Sequence, residues 1–229
     1  MVIDTINKFL EERRKKKAEE LAETSKLESY RETEEIRKAE QTKKEADRLV
    51  HLKQYRAAIK EYHNALELYP FKPGEELHQR ATDFLLMANY NLGAAHMFLQ
   101  EFKDAFTFFD KALSLEKAHT DMKVLCLVAK GSCYFKAKKF LEHVPKRHSK
   151  EITLDSSFDK DEKIIEQIRR IDEKEDLLRK AHQCYSQAAD LSHDNADIWY
   201  EKGHMEFLLG MVKEAIFSEV CFCRWWQAF

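Results

Sequence analysis

From about residue 40 onward, small and aromatic residues recur along this chain at helical spacing, and one arrangement returns. Tyr55, Ala58, Ile59, Tyr62, Ala65, Leu66 and Pro70 set it out, and Phe102, Ala105, Phe109, Ala112 and Leu113 repeat it. It comes back as Ala181, Tyr185, Ala188 and Leu191, and Ala215-Ile216 starts it once more. Ahead of these segments lie others with their own small residue: Leu92-Gly93, Gly131 with Tyr134, and Trp199 with Gly203. Steps of three and four put such residues on one helix face. The pattern therefore predicts antiparallel helix pairs. A small residue on each helix lets the two axes approach, an aromatic four residues on fills the space behind it, and the second alanine admits the next pair.

Ala181 and Ala215 stand one 34-residue period apart. With the W…LG…Y…A…F…A…P order of the residues above, the segment 39–219 resembles the tetratricopeptide repeat family. The resemblance implies an all-α, right-handed superhelical solenoid. Its units fall at 39–72, 86–119, 120–193 and an incomplete fourth with an apolar tail at 194–229. Ala58 to Ala105 exceeds the period by about 13 residues, which is read as an inserted loop at 73–85. The third unit carries a further insertion at about 139–172, where Val144-Pro145 interrupts the pattern and the stretch from Lys146 reads as a loop. Asp159 then serves as an N-cap, and Ile164, Ile168, Ile171, Leu178, Ala181 and Tyr185 form one stripe. That stripe predicts a single long helix over about 161–191.

Residues 1–38 predict a charged helix. Val2, Ile3, Ile6, Phe9 and Leu10 give it a short apolar face, and the rest alternates Glu with Lys or Arg. The basic run from Arg13 to Lys17 reads as a solvated helix face, with a nuclear-import signal as the alternative.

Composition narrows the function classes. Five glycines and three prolines in 229 residues are far below the roughly 16 and 11 of average usage. Hairpin-rich sheets and glycine-rich phosphate loops are thereby disfavoured. Lys+Arg at 39 against Asp+Glu at 41 leaves a net charge of −2, with no basic field for nucleic acid. No apolar run is long enough for a membrane helix. The five scattered cysteines fit reduced thiols in a cytoplasmic or nuclear protein. No nucleophile–base or acid–base constellation is present, so no enzyme activity, catalytic residue or cofactor is expected. His143, His148, Cys221 and Cys223 lack the paired spacing of a metal site.

The resemblance also implies a concave groove lined by the first helix of each unit, which binds peptides of partner proteins. By position the groove would hold Lys43 and Asp47 from unit one, and Met87, Tyr90, Asn91, Ala94, Met97 and Phe98 from unit two. Unit three would add Leu125, Val128, Ala129, Ser132 and Phe135. One subclass of the family uses this groove as a carboxylate clamp for the C-terminal tails of the chaperones Hsp90 and Hsp70. The clamp positions here hold Lys43, Asp47, Asn91, Leu125 and Ala129, so a lysine and an asparagine match and three positions do not. Asp47 would repel a tail carboxylate by at most about 4 kcal/mol, the figure for about 4 Å and an effective dielectric near 20. The reading is thus a non-catalytic interaction scaffold with an apolar groove, and a chaperone adaptor with a degenerate clamp is the alternative. The apolar end CFCRWWQAF reads as a truncated or alternative terminus of a longer repeat protein, or as a tail that docks on a partner.

Overall fold

A computed structural model describes residues 33–71, 79–116, 118–148, 157–174 and 176–226. The apolar group at Val2–Leu10 and the basic run lie outside them. The described residues form nine helices and no strand. These are α1 (33–51), α2 (Tyr55–Leu68), α3 (Gln79–Phe98), α4 (Phe102–Leu113), α5 (Thr120–His148), α6 (Ser157–Lys174), α7 (Leu177–Leu191), α8 (Ala196–Leu208) and α9 (Val212–Trp226). Successive helices pack on one another, except that α7 packs on α5 across α6, and the strongest pairings are α5 with α7, α3 with α4 and α8 with α9. The molecule is an all-α helical solenoid of four pairs: α1/α2, α3/α4, α5/α7 and α8/α9.

The pairs close where the small residues predict. Ala58, Ala105, Ala181 and Ala215 are all buried. A Cβ on Gly93 would stand 2.8 Å from the Phe109 ring, and one on Gly131 would stand 3.0 Å from the Tyr185 ring. Gly203 meets the Ser218 Cβ instead, at 3.1 Å from where its own would lie. The close approach thus falls one residue earlier in α9 than in α4 and α7. Glu219, which occupies the aromatic position, is left at the surface.

Three turns between paired helices share one chemistry. Lys53, Gln100 and Gly210 have φ of 59°, 63° and 76°. The next residue donates its amide to the carbonyl five positions back: Gln54 to Leu49, Glu101 to His96 and Met211 to Glu206. This is the left-handed C-terminal cap in which glycine carries no steric penalty. Lys53→Gly and Gln100→Gly, both at exposed positions, are expected to raise stability by about 1 kcal/mol each, read from urea unfolding midpoints.

The insertions differ from the sequence expectation. Helix α3 begins at Gln79, inside the segment 73–85 expected as a loop, so it brings Thr82 and Phe84 into the core. Helix α5 runs through Pro145 to His148, because a proline near the end of a helix removes only one bond of the last turns. The single helix expected over 161–191 is two. Asp176 caps α7 by accepting from the Leu178 and Arg179 amides. Asp172 accepts from the Leu177 amide and pairs with Lys138 of α5 at 2.7 Å. Two carboxylates competing for amide hydrogens stop α6 although its apolar stripe stays in phase. Ile164, Ile168 and Ile171 then pack on the cluster that holds Phe102, Phe106, Phe140 and Leu141, so α6 lies against α5 and α4.

Candidate functional site

Helices α1 and α3 are the first helices of adjacent pairs, and an open pocket of about 460 Å³ lies between them. Helix α1 contributes Glu40, Lys43 and Lys44 to its wall, and α3 contributes Arg80, Asp83, Phe84 and Met87. The α3 residues face the pocket because α3 starts early enough to add a full turn before Phe84. Most of its charges are already matched. Arg80 pairs with Glu40 at 2.7 Å, Gln79 donates to Asp83 at 2.7 Å, and Lys43 pairs with Asp47 at 2.8 Å. Lys44 is exposed and has no ion-pair partner among the described residues. The pocket therefore offers one uncommitted cation beside the partly buried Met87 and the edge of the buried Phe84.

Asp47 pairs with the pocket residue Lys43 and is the hub of a polar network. Besides Lys43, it accepts from the Tyr62 hydroxyl at 2.6 Å and from the Asn91 amide at 2.9 Å. Burial raises the Tyr62 hydroxyl well above its ordinary pKa, and the hydrogen bond to Asp47 and the Asp47 charge raise it further. Tyr62 therefore stays a donor. Asp47 was expected to act on an incoming carboxylate by repulsion alone. In the structure it also binds both residues that match the clamp pattern, so neither Lys43 nor Asn91 is free.

The other expected groove residues divide. Met87 lines the pocket and Leu125 is exposed on α5. Tyr90 and Met97 are partly buried against the central cluster, with the Tyr90 ring 6.2 Å from that of Phe109. Phe98 stacks on Tyr55 at 4.8 Å and lies under the Lys136 ammonium. Ser132 hydrogen-bonds with the buried Tyr185 hydroxyl, and Phe135 meets His204 of α8 edge-on at 5.3 Å. Ala129 and Val128 pack on the same central cluster. Tyr90, Met97, Val128, Ala129 and Phe135 are thus partly taken up in packing, while Phe98 and Leu125 stay about half exposed. Sequence reasoning missed Lys44, Arg80 and Phe84. The last two lay in the supposed loop, and Lys44 adjoins a residue that matched a known pattern.

Three further groups bear on chemistry. Cys126, Cys133 and Cys184 are buried, and burial pushes their thiols up to about 12, 12 and 11, which suits packing and not nucleophilic attack. Potential metal donors of His96, Glu101 and Asp104 lie within 4.8 Å of one another. Glu101 is engaged by His96 at 2.8 Å and Arg56 at 3.4 Å, and Asp104 lies in the first turn of α4, where an acid favours the helix dipole. No described helix is long and apolar enough to cross a membrane.

Residues 88–119 match the family model for the tetratricopeptide repeat. No curated protein matches the sequence. Among solved structures, the chain is similar to the C-terminal TPR-containing domain of a Plasmodium falciparum protein described as FK506-binding. The two are 17% identical over 80% of this chain and 95% of that one, with a TM-score of 0.50. It is also similar to the TPR2AB domain of yeast Sti1 in complex with an Hsp90 peptide, at 17% identity over 83% and 78% of the chains and a TM-score of 0.34. MamA from Desulfovibrio magneticus is 18% identical over 83% of this chain and 96% of that one, with a TM-score of 0.33.

Proposed function

We propose that this helical solenoid, in which residues 88–119 match the tetratricopeptide repeat, is a protein-interaction scaffold whose pocket between α1 and α3 takes a short peptide segment of a partner protein. The carrying observation is the 460 Å³ pocket with one uncommitted lysine beside an apolar floor. The chemistry it favours is an acidic side chain placed next to a large apolar one. Lys44 pairs with the acid, while Phe84 and Met87 cover the apolar group. Such a pair carries specificity by charge and affinity by desolvation. The role is non-catalytic, in the cytoplasm or nucleus, and involves neither nucleic acid nor membrane.

The chaperone-tail alternative has less support. A tail carboxylate would have to displace Asp47 from Lys43 and Asn91. The unit-three clamp positions offer it Leu125 and Ala129 in place of cations. An Hsp90 tail peptide is therefore expected to bind with a Kd no better than about 1 mM in a fluorescence titration.

Selection from a random peptide library on the immobilised full chain tests the main reading. Enriched peptides should share an acid beside an apolar residue. Their affinity should fall at least tenfold in Lys44→Glu and in Met87→Glu, with the thermal midpoint little changed in the former. Peptides that bind both variants as well as the parent chain would place recognition elsewhere. Tyr90 and Phe135 are unsuitable probes, since both are partly buried in the packing and a glutamate there would disturb the solenoid itself.

A further inference from the structure

The face of α3 that holds Met87 continues past the pocket. Met87 and Phe98 stand eleven residues apart, about three helical turns, so they share one side of the helix. Asn91 and Ala94 lie between them on that side, and none of the four is buried. Leu125 and Lys136 repeat the relation on α5, and both are exposed. The two helix faces meet where the Lys136 ammonium sits 5.4 Å from the centre of the Phe98 ring, which stacks on Tyr55 and is still 52% exposed. One turn on, the Lys139 ammonium lies 4.3 Å from the centre of the Phe135 ring. Both lysines are exposed, and neither has an acidic partner among the described residues. The acids nearest in sequence do not serve them: Glu101 is held by His96 and Arg56, and Glu142 is exposed and bonds to neither lysine. Lys138, between the two, is by contrast paired with Asp172. An aromatic face attracts an ammonium without cancelling its charge, so two positive charges remain open at the far end of the α3 face.

We propose that a peptide seated in the α1/α3 pocket runs along α3 and places a second acidic group at Lys136 and Lys139. The inference rests on the pocket reading above and adds to it the length and charge pattern of the peptide. Three helical turns cover about 16 Å, and an extended chain covers that distance in about five residues. The segment recognised therefore carries an acid beside a large apolar residue, and a second acid about five residues further on. Phe98 and Phe135 give that second acid a flank without water, where a charge pair is screened less than in open solvent. The cations missing at Leu125 and Ala129 thus stand two turns or more further along α5.

Fluorescence polarisation with two labelled synthetic peptides on the full chain tests this. The first holds a Glu-Leu pair, four serines and an Asp-Glu pair, and the second ends in two serines instead. Each is also made with its sequence reversed, since either chain direction satisfies the geometry. In one direction the first peptide should bind at least tenfold more tightly than the second at about 50 mM salt, and the advantage should shrink at about 500 mM. It should disappear in Lys136→Gln with Lys139→Gln and persist in Lys136→Arg with Lys139→Arg, with the thermal midpoint unchanged in both. Equal binding of the two peptides overturns the proposal, and so does an advantage that survives the glutamine variant. Lys44→Glu separates the two readings, because it should weaken both peptides alike. Peptides indifferent to it would remove the pocket reading and this extension with it. Peptides that need Lys44 but gain nothing from Lys136 and Lys139 would remove the extension alone.

Discussion

Phe109→Ala is expected to destabilise the solenoid by about 3–5 kcal/mol, the range for emptying a fully buried aromatic position. The ring fills the approach between α3 and α4. It lies against Gly93 and beside Tyr90, and belongs to the cluster that also holds Phe102, Phe106, Cys133 and Tyr134. Removing it opens a cavity at the contact between the second and third pairs. The reciprocal change, Gly93→Ala, inserts a Cβ 2.8 Å from the same ring and is expected to cost about 1–3 kcal/mol through overpacking. Because both act through one contact, the two changes should not add. Gly93→Ala combined with Phe109→Leu should be less destabilising than the sum of its parts by at least 0.5 kcal/mol, measured by urea unfolding. Strict additivity would mean that Gly93 is not held against Phe109.

Glu206→Leu is the second large effect, with an expected loss of about 3 kcal/mol. Glu206 is 1% exposed at the centre of the last pair. It accepts from Lys202 at 2.6 Å and Ser218 at 2.7 Å, and His182 of α7 stands 3.3 Å away. A leucine takes away the counter-charge of the largely buried Lys202 ammonium, which keeps only the Ser218 hydroxyl oxygen at 3.1 Å, and leaves that hydroxyl without its acceptor. Adding Lys202→Met should recover much of the loss, since an apolar pair avoids the stranded charge.

The same carboxylate makes stability depend on pH. Burial alone would raise the Glu206 pKa, but the hydrogen bonds from Lys202 and Ser218, the Lys202 charge and His182 outweigh it and hold the carboxyl below its usual range. A depressed folded-state pKa means that the unfolded chain binds the proton more readily. Its stabilisation is therefore complete above the unfolded glutamate value near 4.5 and is lost as pH falls through the lower folded value. Glu206→Gln should flatten the acid side of the thermal-midpoint profile, and an unchanged slope would place the acid sensitivity elsewhere.

The alanines at 58, 105, 181 and 215 and the glycines at 93, 131 and 203 made the fold legible, because close approach restricts size at those points and little else in the chain does. What stayed hidden depended on competition between equally helical options. The stripe from Ile164 to Tyr185 has unbroken phase, and only the two aspartates at 172 and 176 stop it by taking amide hydrogens. Pro145 looked like a breaker and was tolerated near a helix end. In α9 the approach residue is Ser218, one position earlier than in α4 and α7, so the aromatic position falls on the exposed Glu219. The site was less legible than the fold. Met87 and Lys43 do line the pocket, but Tyr90, Met97 and Phe135 are partly taken up in packing. That distinction requires the superhelical geometry and not the periodicity. The Lys43–Asp47 pair was visible as an i, i+4 contact, a cue that both side chains would be occupied.

The most direct test of peptide recognition at α1 and α3 uses methionines as reporters. With the methionine methyl groups isotope-labelled, a library-selected peptide is titrated in and the NMR shifts are followed. Met87, in the pocket, should move progressively and saturate, whereas Met205, buried in the last pair, should stay fixed. The shift should vanish in Lys44→Glu. Saturable binding that leaves Met87 unmoved would contradict the assignment of the pocket.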